Sequence, residues 1–262
     1  MQVWTVANQK GGVGKTTSVV TLAGLLVQQG HRVLVVDLDQ HGSLTAYFGI
    51  NPDAIKYSVY DLFLNPMQDI ANLLIPTHLT NLTLLPASSS MAALERQTGK
   101  LGGAGLVMQQ SLAQVSTMFD YVLIDSPPIL GVAMINALTA CELLLMPVQT
   151  EFLAIKGLMR MSKSLDLILT TRHQQLQALV LPTMYDRRTK SSIQSLRVIK
   201  AEFGDRVSHA LIPVDAQFRN ASSAGEVPNQ YNPLARGVQA YDLLLTQLQR
   251  KRQQIPQWSC GS

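Results

Sequence analysis

The strongest constraint on the fold of this 262-residue chain is a glycine-rich segment, NQKGGVGKTT, at residues 8–17. It follows an apolar run, QVWTVAN, that predicts a strand, and it leads into KTTSVVTLAGLLVQQG, whose apolar spacing predicts a helix ended by Gly30. Glycines at such a turn let successive backbone N–H groups face a phosphate, and the helix N-terminus adds a favourable dipole. The segment therefore predicts a phosphate-binding loop made of Gly11, Gly12, Val13, Gly14, Lys15, Thr16 and Thr17.

The two lysines of this segment, Lys10 and Lys15, are expected to have different roles in nucleotide binding. Lys15 is placed to reach the β- and γ-phosphates of a nucleotide, and the Thr16 hydroxyl is placed to bind Mg²⁺. Lys10 lies before the glycines, and Gln9 stands where the usual GxxxxGK[ST] pattern has its first glycine. Lys10 therefore needs a separate role, or it is a solvent-exposed lysine beside the loop.

The rest of the chain predicts an α/β fold with a doubly wound, mostly parallel sheet and helices on both faces. The further predicted strands are continuous apolar runs, typical of strands buried on both sides: RVLVVDLD, LTLLPA, DYVLIDSPP, ELLLMPV, LQALVLPTMY and SHALIP. FLAIKGLMRMSKSLDLILTTRH has helical spacing, and residues 50–105 are interpreted as an insertion of short helices around one strand. No break in composition divides the chain, so we predict one domain over residues 1–250 and a flexible tail over 251–262.

Composition excludes several classes of protein. The two cysteines, Cys141 and Cys260, are far apart and form no CxxC pair, which argues against a disulfide framework or a zinc site and favours a reducing cytoplasm. The N-terminus does not resemble a signal peptide, and no apolar run approaches the 18 residues of a membrane span. We therefore expect a cytoplasmic protein with no membrane partner.

Charge is distributed unevenly between the two halves. Residues 1–155 hold 6 Lys and Arg against 10 Asp and Glu, a net −4, and residues 156–262 hold 15 against 7, a net +8. A basic half can face an anionic partner such as DNA. It can equally consist of solvated helix faces, and the charge by itself does not decide between the two.

Three aspartates follow predicted strands. Asp37 and Asp39 end RVLVVDLD, and Asp125 ends YVLID. Ligands of open α/β sheets bind at the carboxyl ends of the strands, so these carboxylates are candidates for metal binding and for catalysis. Asp37 and Asp39 are two residues apart and point to different faces, which indicates different roles; capping of the next helix is the structural alternative.

The segment KGGVGKTT resembles the deviant Walker A loop of the ParA/MinD ATPases, and the preceding NQ resembles the ParA branch. IDSPPILG resembles the Walker B region of the same family, and similar segments extend from residue 3 to about residue 247. The resemblance implies ATP and Mg²⁺ as cofactors and a homodimer in which Lys10 reaches the phosphates of the partner subunit. It also implies a slow ATP hydrolase that a partner protein accelerates.

Further site residues are carried over from the family. Asp39 is expected to orient the attacking water, with Lys10 and Lys15 as the other catalytic residues, although Gln40-His41 stands where the family has Pro-Gln. Thr16, Asp37 and Asp125 are expected to serve the metal, Asp37 in the outer shell, and Glu151 is expected to shape the dimer face. The predicted adenine pocket, for which core or turn positions are the alternative, consists of Thr183, Met184, Pro213 and Asp215.

ParA-type proteins partition plasmids or chromosomes with a ParB-like partner, and DLDQHGSLTAYFG followed by YSVYDLF resembles the relatives that position chemotaxis arrays at a cell pole. The family also binds double-stranded DNA without sequence preference, at the nucleoid. The candidate DNA contacts are Arg187, Arg188, Lys190, Arg197, Lys200, Arg206, Arg219 and Arg236. The alternative function is a nucleotide-gated adaptor that docks a polar scaffold protein without DNA. A second rival is an ATPase that acts on a small molecule or a metal.

Overall fold

A computed structural model describes residues 1–96, 104–169, 176–250 and 255–258. Within these residues the strands are β1 (Gln2–Val6), β2 (Val33–Asp37), β3 (Ile75–Pro76), β4 (Leu82–Leu85), β5 (Tyr121–Asp125), β6 (Leu143–Gln149) and β7 (Gln177–Thr183). They form one sheet in the order β3-β4-β2-β5-β1-β6-β7. All pairings are parallel except that of β3 with β4, so the predicted doubly wound α/β fold is confirmed.

Helices cover both faces of the sheet. They are α1 (Lys15–Gln28), α2 (Ser43–Tyr47), α3 (Val59–Leu64), α4 (Met91–Arg96), α5 (Val107–Gln114), α6 (Val132–Ala140), α7 (Phe152–Leu169), α8 (Lys190–Phe203), α9 (Gln217–Ala224), α10 (Pro228–Tyr231) and α11 (Arg236–Arg250). Short 3₁₀ turns cover Ile70–Leu73, Ala104–Leu106 and Gly204–Arg206.

The hydrophobic core has two parts because each strand presents alternate side chains to opposite faces. On one face, Leu34 and Val122 pack with apolar residues of α3, α5, α6 and α7. On the other face, Val35 and Leu123 pack with apolar residues of α1 and α11. Every residue of β2 and β5 is buried, which explains the continuous apolar runs in the sequence.

The topology brings the functional segments to one edge of the sheet. β1 leads into the glycine-rich loop, and its neighbours β5 and β6 end beside it. β2 pairs with β5 so that Asp37 is the register partner of Asp125. β6 and β7 end together, with Gln149 opposite Thr183. The carboxyl ends of five parallel strands therefore surround one site.

Two predictions of local structure need correction. SHALIP was expected to be a strand, but residues 207–213 form only isolated bridges, one between Val207 and Val180 of β7 and one between Pro213 and Tyr185, which follows β7. Between these bridges the backbone donors divide. The N–H groups of Ser208 and Ile212 donate to the Val180 and Pro182 carbonyls of β7 (2.8 and 2.9 Å), whereas those of His209 and Ala210 donate to Gln247 Oε1 (3.2 Å) and Ser208 Oγ (3.1 Å). Side-chain acceptors interrupt the pairing at His209 and Ala210, so no continuous strand forms.

The predicted flexible tail is docked where the structure describes it. The N–H of Trp258 donates to the Leu176 carbonyl (2.7 Å), and that of Ala178 donates to the Pro256 carbonyl (3.3 Å). Ile255 and Trp258 are buried. Residues 255–258 therefore cover the outer edge of β7; the other residues of the predicted tail, and 170–173 of the predicted helix after Leu169, lie outside the described residues.

No helix in the described ranges has both the length and the apolar content needed to cross a bilayer.

Candidate active site

The phosphate loop is shaped by two glycines in the left-handed region, Gly12 (φ 72°) and Gly14 (φ 93°). An added Cβ at either position would meet no atom within 4 Å, so the positive φ rather than crowding favours glycine here. Val13 is fully buried and anchors the loop, and its carbonyl accepts a hydrogen bond from Thr183 Oγ1 (2.9 Å). The result is an anion-sized cradle at the N-terminus of α1.

The two lysines occupy different environments. Lys15 is buried, and its ammonium donates to the Lys10 carbonyl (3.3 Å). Burial lowers the pKa of Lys15, while the charges of Asp125 and Asp39 oppose this shift. Lys15 therefore lies inside the loop, where a phosphate would compensate its charge, and its role in phosphate binding stays a prediction.

The metal-binding prediction has a geometric basis at Asp125. Its Oδ2 accepts a hydrogen bond from Thr16 Oγ1 (2.6 Å), and its Oδ1 is buried with no hydrogen-bond partner among the described residues. Burial, with the nearby charge of Asp37, raises the pKa of Asp125 well above its ordinary value. A hydroxyl and a buried carboxylate with a free oxygen are hard oxygen donors that fit Mg²⁺, which binds through few protein ligands and through nucleotide phosphates.

Asp37 and Asp39 differ, as their spacing predicted. Asp37 is fully buried, and its Oδ2 accepts from both the N–H (2.8 Å) and the Oγ1 (2.7 Å) of Thr45. Its Oδ1 accepts from the N–H of Asp39 (3.1 Å). Burial nevertheless raises the pKa of Asp37 to about 6. Asp37 thus holds its own loop in place, and its outer-shell metal role stays a prediction.

Asp39 lies nearer the opening of the site. It is 9% exposed, against 0% for Asp37, and its Oδ1 accepts the N–H of His41 (3.1 Å). Gln40 and His41, which replace the family's Pro-Gln, lie beside it at the rim. The geometry is compatible with a carboxylate that orients a water, and this role too stays a prediction.

A second cavity, of about 380 Å³, opens beside the loop. Its lining includes all four residues predicted for the adenine end: Thr183, Met184, Pro213 and Asp215. Val13, Gly14 and Thr17 contribute from the loop, and Phe218, Arg219 and Tyr241 were not predicted for it. The carboxylate of Asp215 accepts hydrogen bonds from the backbone N–H groups of Gln217 (3.0 Å) and Gly237 (2.9 Å). The cavity is continuous with the phosphate loop through shared residues.

Lys10 lies at the rim of the loop. Its ammonium donates to Gln149 Oε1 (2.8 Å) and forms an ion pair with Glu151, and its side chain is 30% exposed. The N–H of Lys10 donates to Asn8 Oδ1 (3.1 Å). The loop therefore carries one lysine inside the cradle and one at its outer edge.

The candidate DNA contacts divide by environment. Arg206 stacks over the Trp258 ring at 4.8 Å, Arg188 pairs with Asp186 (2.8 Å), and Arg219 lines the 380 Å³ cavity. The others are exposed at the surface: Arg187, Lys190, Arg197, Lys200 and Arg236. Lys190, Arg197 and Lys200 share one stripe of α8.

Two polar residues of the site were missed from the sequence. Thr45 fixes Asp37, and nothing in the local pattern marks a threonine on a short helix as the partner of a distant carboxylate. Gln149 ends β6 beside Lys10, and its position at the carboxyl end of a predicted parallel strand was a usable signal.

Comparison with known proteins gives a consistent set of relatives. Residues 1–178 match the family described as the AAA domain. The chain is 35% identical to the sporulation initiation inhibitor protein Soj of Bacillus subtilis, covering 90% of this chain and 93% of that protein. It is 34% identical to the chromosome partitioning protein ParA of Caulobacter vibrioides, covering 92% and 91%.

Solved structures agree on the fold. Cobyrinic acid a,c-diamide synthase from Mycobacterium smegmatis, solved with ADP and magnesium, has a TM-score of 0.83 at 32% identity and covers 98% of this chain and 99% of its own. A plasmid partition protein from Borrelia burgdorferi, bound to AMPPNP, has a TM-score of 0.81 over 95% and 99% of the chains. Its 23% identity makes it evidence for the fold alone.

Proposed function

Because the chain belongs to the ParA branch of the ParA/MinD-type P-loop ATPases, with ATP and Mg²⁺ as its cofactors, we propose that it is an ATP-dependent dimerisation switch. It hydrolyses ATP slowly, a partner protein accelerates the hydrolysis, and the cycle positions or partitions a cellular cargo. The dimer, the rate and the cargo belong to the proposal.

The observation that carries this proposal is the separation of the two loop lysines. Lys15 is buried within the cradle, so it serves the nucleotide of its own subunit. Lys10 is at the rim, where its ammonium is accessible to a molecule approaching the loop. Two nucleotides brought face to face concentrate negative charge, and a lysine from each partner would neutralise it.

Each residue of the site has a distinct part in the proposed reaction. Thr16 and Asp125 would hold Mg²⁺, which when bound neutralises charge on the phosphates. Asp39 would orient the water for in-line attack, and Lys15 would stabilise the charge that develops on the phosphates. The cavity lined by Met184 and Pro213 would take the base.

The relatives support partition as the use of this switch. The proteins that are 34–35% identical are named for chromosome partitioning and for inhibition of sporulation initiation, so a chromosome is the first cargo to test. A plasmid or a polar chemotaxis array remain alternative cargoes, with a ParB-like or a scaffold protein as the activating partner. We place the protein in the cytoplasm, on the nucleoid when bound to ATP.

The stripe of Lys190, Arg197 and Lys200 on α8 is the proposed DNA contact. Phosphate contacts need only charge and reach, and they give binding that weakens steeply with salt. In this proposal the basic half of the chain binds DNA. ATP controls the binding through dimerisation, because a dimer carries two copies of the stripe and binds more tightly than a monomer.

The test is double-stranded DNA binding by the Asp39→Ala variant with Mg-ATP and with Mg-ADP across a salt series. We expect binding with ATP only and no sequence preference. The Arg197→Ala/Lys200→Ala double substitution should lower the slope of log affinity against log salt by about 2 for each subunit. A Lys56→Ala/Arg96→Ala protein, altered at exposed positions of the acidic half, is the matched control.

Two outcomes would favour the alternative functions, and a further measurement tests the dimer. If the protein forms an ATP-dependent dimer that does not bind DNA even at low salt, the result would favour an adaptor that docks a scaffold protein. ATP turnover that requires a small-molecule cosubstrate would favour the rival suggested by the name of the Mycobacterium smegmatis structure. Sedimentation of Lys10→Ala with Mg-ATP tests the dimer itself: this variant should bind ATP and remain a monomer.

A further inference from the structure

The amide of Gln149 connects three parts of the site. Its Oε1 accepts a hydrogen bond from the Lys10 ammonium (2.8 Å). Its Nε2 donates to the Gly12 carbonyl in the phosphate loop (2.9 Å) and to the sulfur of Met184 (3.0 Å). Met184 lines the 380 Å³ cavity, so a single side chain contacts the rim lysine, the loop backbone and the wall of the proposed base pocket.

These contacts define the orientation of the amide. If the amide were rotated by half a turn, its NH₂ group would face the Lys10 ammonium, donor against donor. Its oxygen would then face the Gly12 carbonyl, acceptor against acceptor. The observed orientation satisfies the oxygen and both N–H groups at once. Gln149 is half-buried at the end of β6, where the strand fixes its backbone.

We propose that Gln149 is a positioning residue for Lys10, holding the ammonium at the rim of the loop in the place from which it engages a partner subunit. This inference rests on the proposed dimerisation switch. A neutral amide suits the task because it orients the cation without neutralising it. The full charge of Lys10 stays available for the phosphates of the second subunit.

Glu151 acts on the same ammonium in the opposite sense. It forms an ion pair with Lys10 within the subunit, and the carboxylate is 53% exposed. Lys10 must give up this pair to reach a partner's phosphates. Glu151 therefore competes with dimerisation, whereas Gln149 keeps the lysine in place when that pair opens.

The contact with Met184 extends the proposal to the base pocket. Met184 is one of two described non-glycine residues with positive φ (51°), and its carbonyl accepts a hydrogen bond from Thr150 Oγ1 (3.3 Å). The backbone of Met184 is thus held by Thr150, the residue that follows Gln149 at the end of β6. A base bound in the cavity would contact the Met184 side chain. Movement of the Met184 sulfur would then shift the Gln149 amide that holds Lys10.

The experiment measures two constants for each variant: the affinity for a fluorescent ATP analogue with Mg²⁺, and the dimer dissociation constant with Mg-ATP by sedimentation. Each variant also carries Asp39→Ala to prevent turnover. We expect Gln149→Leu to keep ATP affinity within about threefold and to weaken the dimer about tenfold, the effect of losing one hydrogen bond to a charged group. Gln149→Glu should weaken it further, since a second carboxylate neutralises Lys10. Glu151→Gln should strengthen it.

Thermal unfolding checks that the variants fold, and Gln194→Leu, at an exposed glutamine of α8, is the matched control. If Gln149→Leu dimerises as tightly as the parent protein, the inference about Gln149 is wrong, but the proposed dimerisation switch is not affected. Equal losses of ATP affinity and of dimer stability also overturn it, because they would mean that Gln149 only supports the loop. If the parent Asp39→Ala protein forms no ATP-dependent dimer, the proposed function fails, and the inference fails with it.

Discussion

The two ends of the proposed nucleotide site are built differently. The phosphate end consists of backbone and buried charge at the centre of the sheet: a glycine loop after β1, Lys15 inside it, and Asp125 at the end of β5. The other end consists of loops after the edge strand β7, with Met184 41% exposed and Pro213 on a segment that forms only isolated bridges.

This difference indicates that the phosphate end needs a more rigid structure than the base end. Charge stabilisation at a phosphate depends on donors that are fixed before the ligand arrives, and the central strands supply that fixation. A base is bound largely by apolar contact, which tolerates a more adaptable wall. Loss of a phosphate contact should therefore abolish binding, and a change at the base end should only weaken it.

The largest effect is expected from Lys15→Ala. Removing the buried ammonium takes away charged hydrogen bonds to the phosphates, so affinity for Mg-ATP should fall at least about 100-fold. Titration calorimetry measures this, with Lys56→Ala as a control at an exposed lysine. Thermal unfolding without nucleotide shows whether the variant is folded. Near-normal affinity in a folded variant would contradict the assignment of the cradle.

What the sequence predicted follows the same division. The phosphate loop and the strand-end aspartates were predictable because glycine, lysine and aspartate at fixed spacing after apolar strands have few structural uses. Phe218 was not, since it meets the site through contacts between segments distant in the chain, and Gln149 was indicated only by its place at the carboxyl end of β6. Residues 207–213 have the composition of a strand, but the side chains of Gln247 and Ser208 accept the N–H groups of His209 and Ala210, which interrupts the pairing with β7.

A smaller effect is expected from Gly237→Ala at the base end. A Cβ at Gly237 would lie 2.3 Å from Cζ of Phe218, so this ring, which lines the cavity, must move. We expect affinity for Mg-ATP to fall about tenfold, within the range for overpacking. Competition by Mg-tripolyphosphate, which has no base, should be unchanged.

The matched control for this substitution is Gly105→Ala, whose added Cβ would meet only a side-chain atom of Ile135 at 3.7 Å, an ordinary contact. If Gly237→Ala weakened ATP and tripolyphosphate equally, the two ends of the site would not be separable. The comparison between a fixed phosphate end and an adaptable base end would then be wrong.

The smallest effect on nucleotide binding is expected from Trp258→Ala, far from both ends. Trp258 is 7% exposed, its indole N–H donates to Asp166 Oδ1 (2.7 Å), and Arg206 stacks on the ring. Its removal uncovers the outer edge of β7, the strand that leads into the base end. The free energy of unfolding should fall by about 3 kcal/mol, as for a large apolar residue in a core, and Mg-ATP affinity should change less than about twofold.

Urea unfolding and calorimetry test this prediction together, and Trp258→Phe separates the ring from the indole hydrogen bond. Phenylalanine keeps most of the packing of the ring, so the free energy of unfolding of Trp258→Phe should fall by only about 1 kcal/mol. A large drop in ATP affinity with Trp258→Ala would show that the base end takes its shape from the edge of β7. The adaptable wall would then depend on the C-terminal segment, and the boundary between the two regions would lie at β6 rather than at the loops after β7.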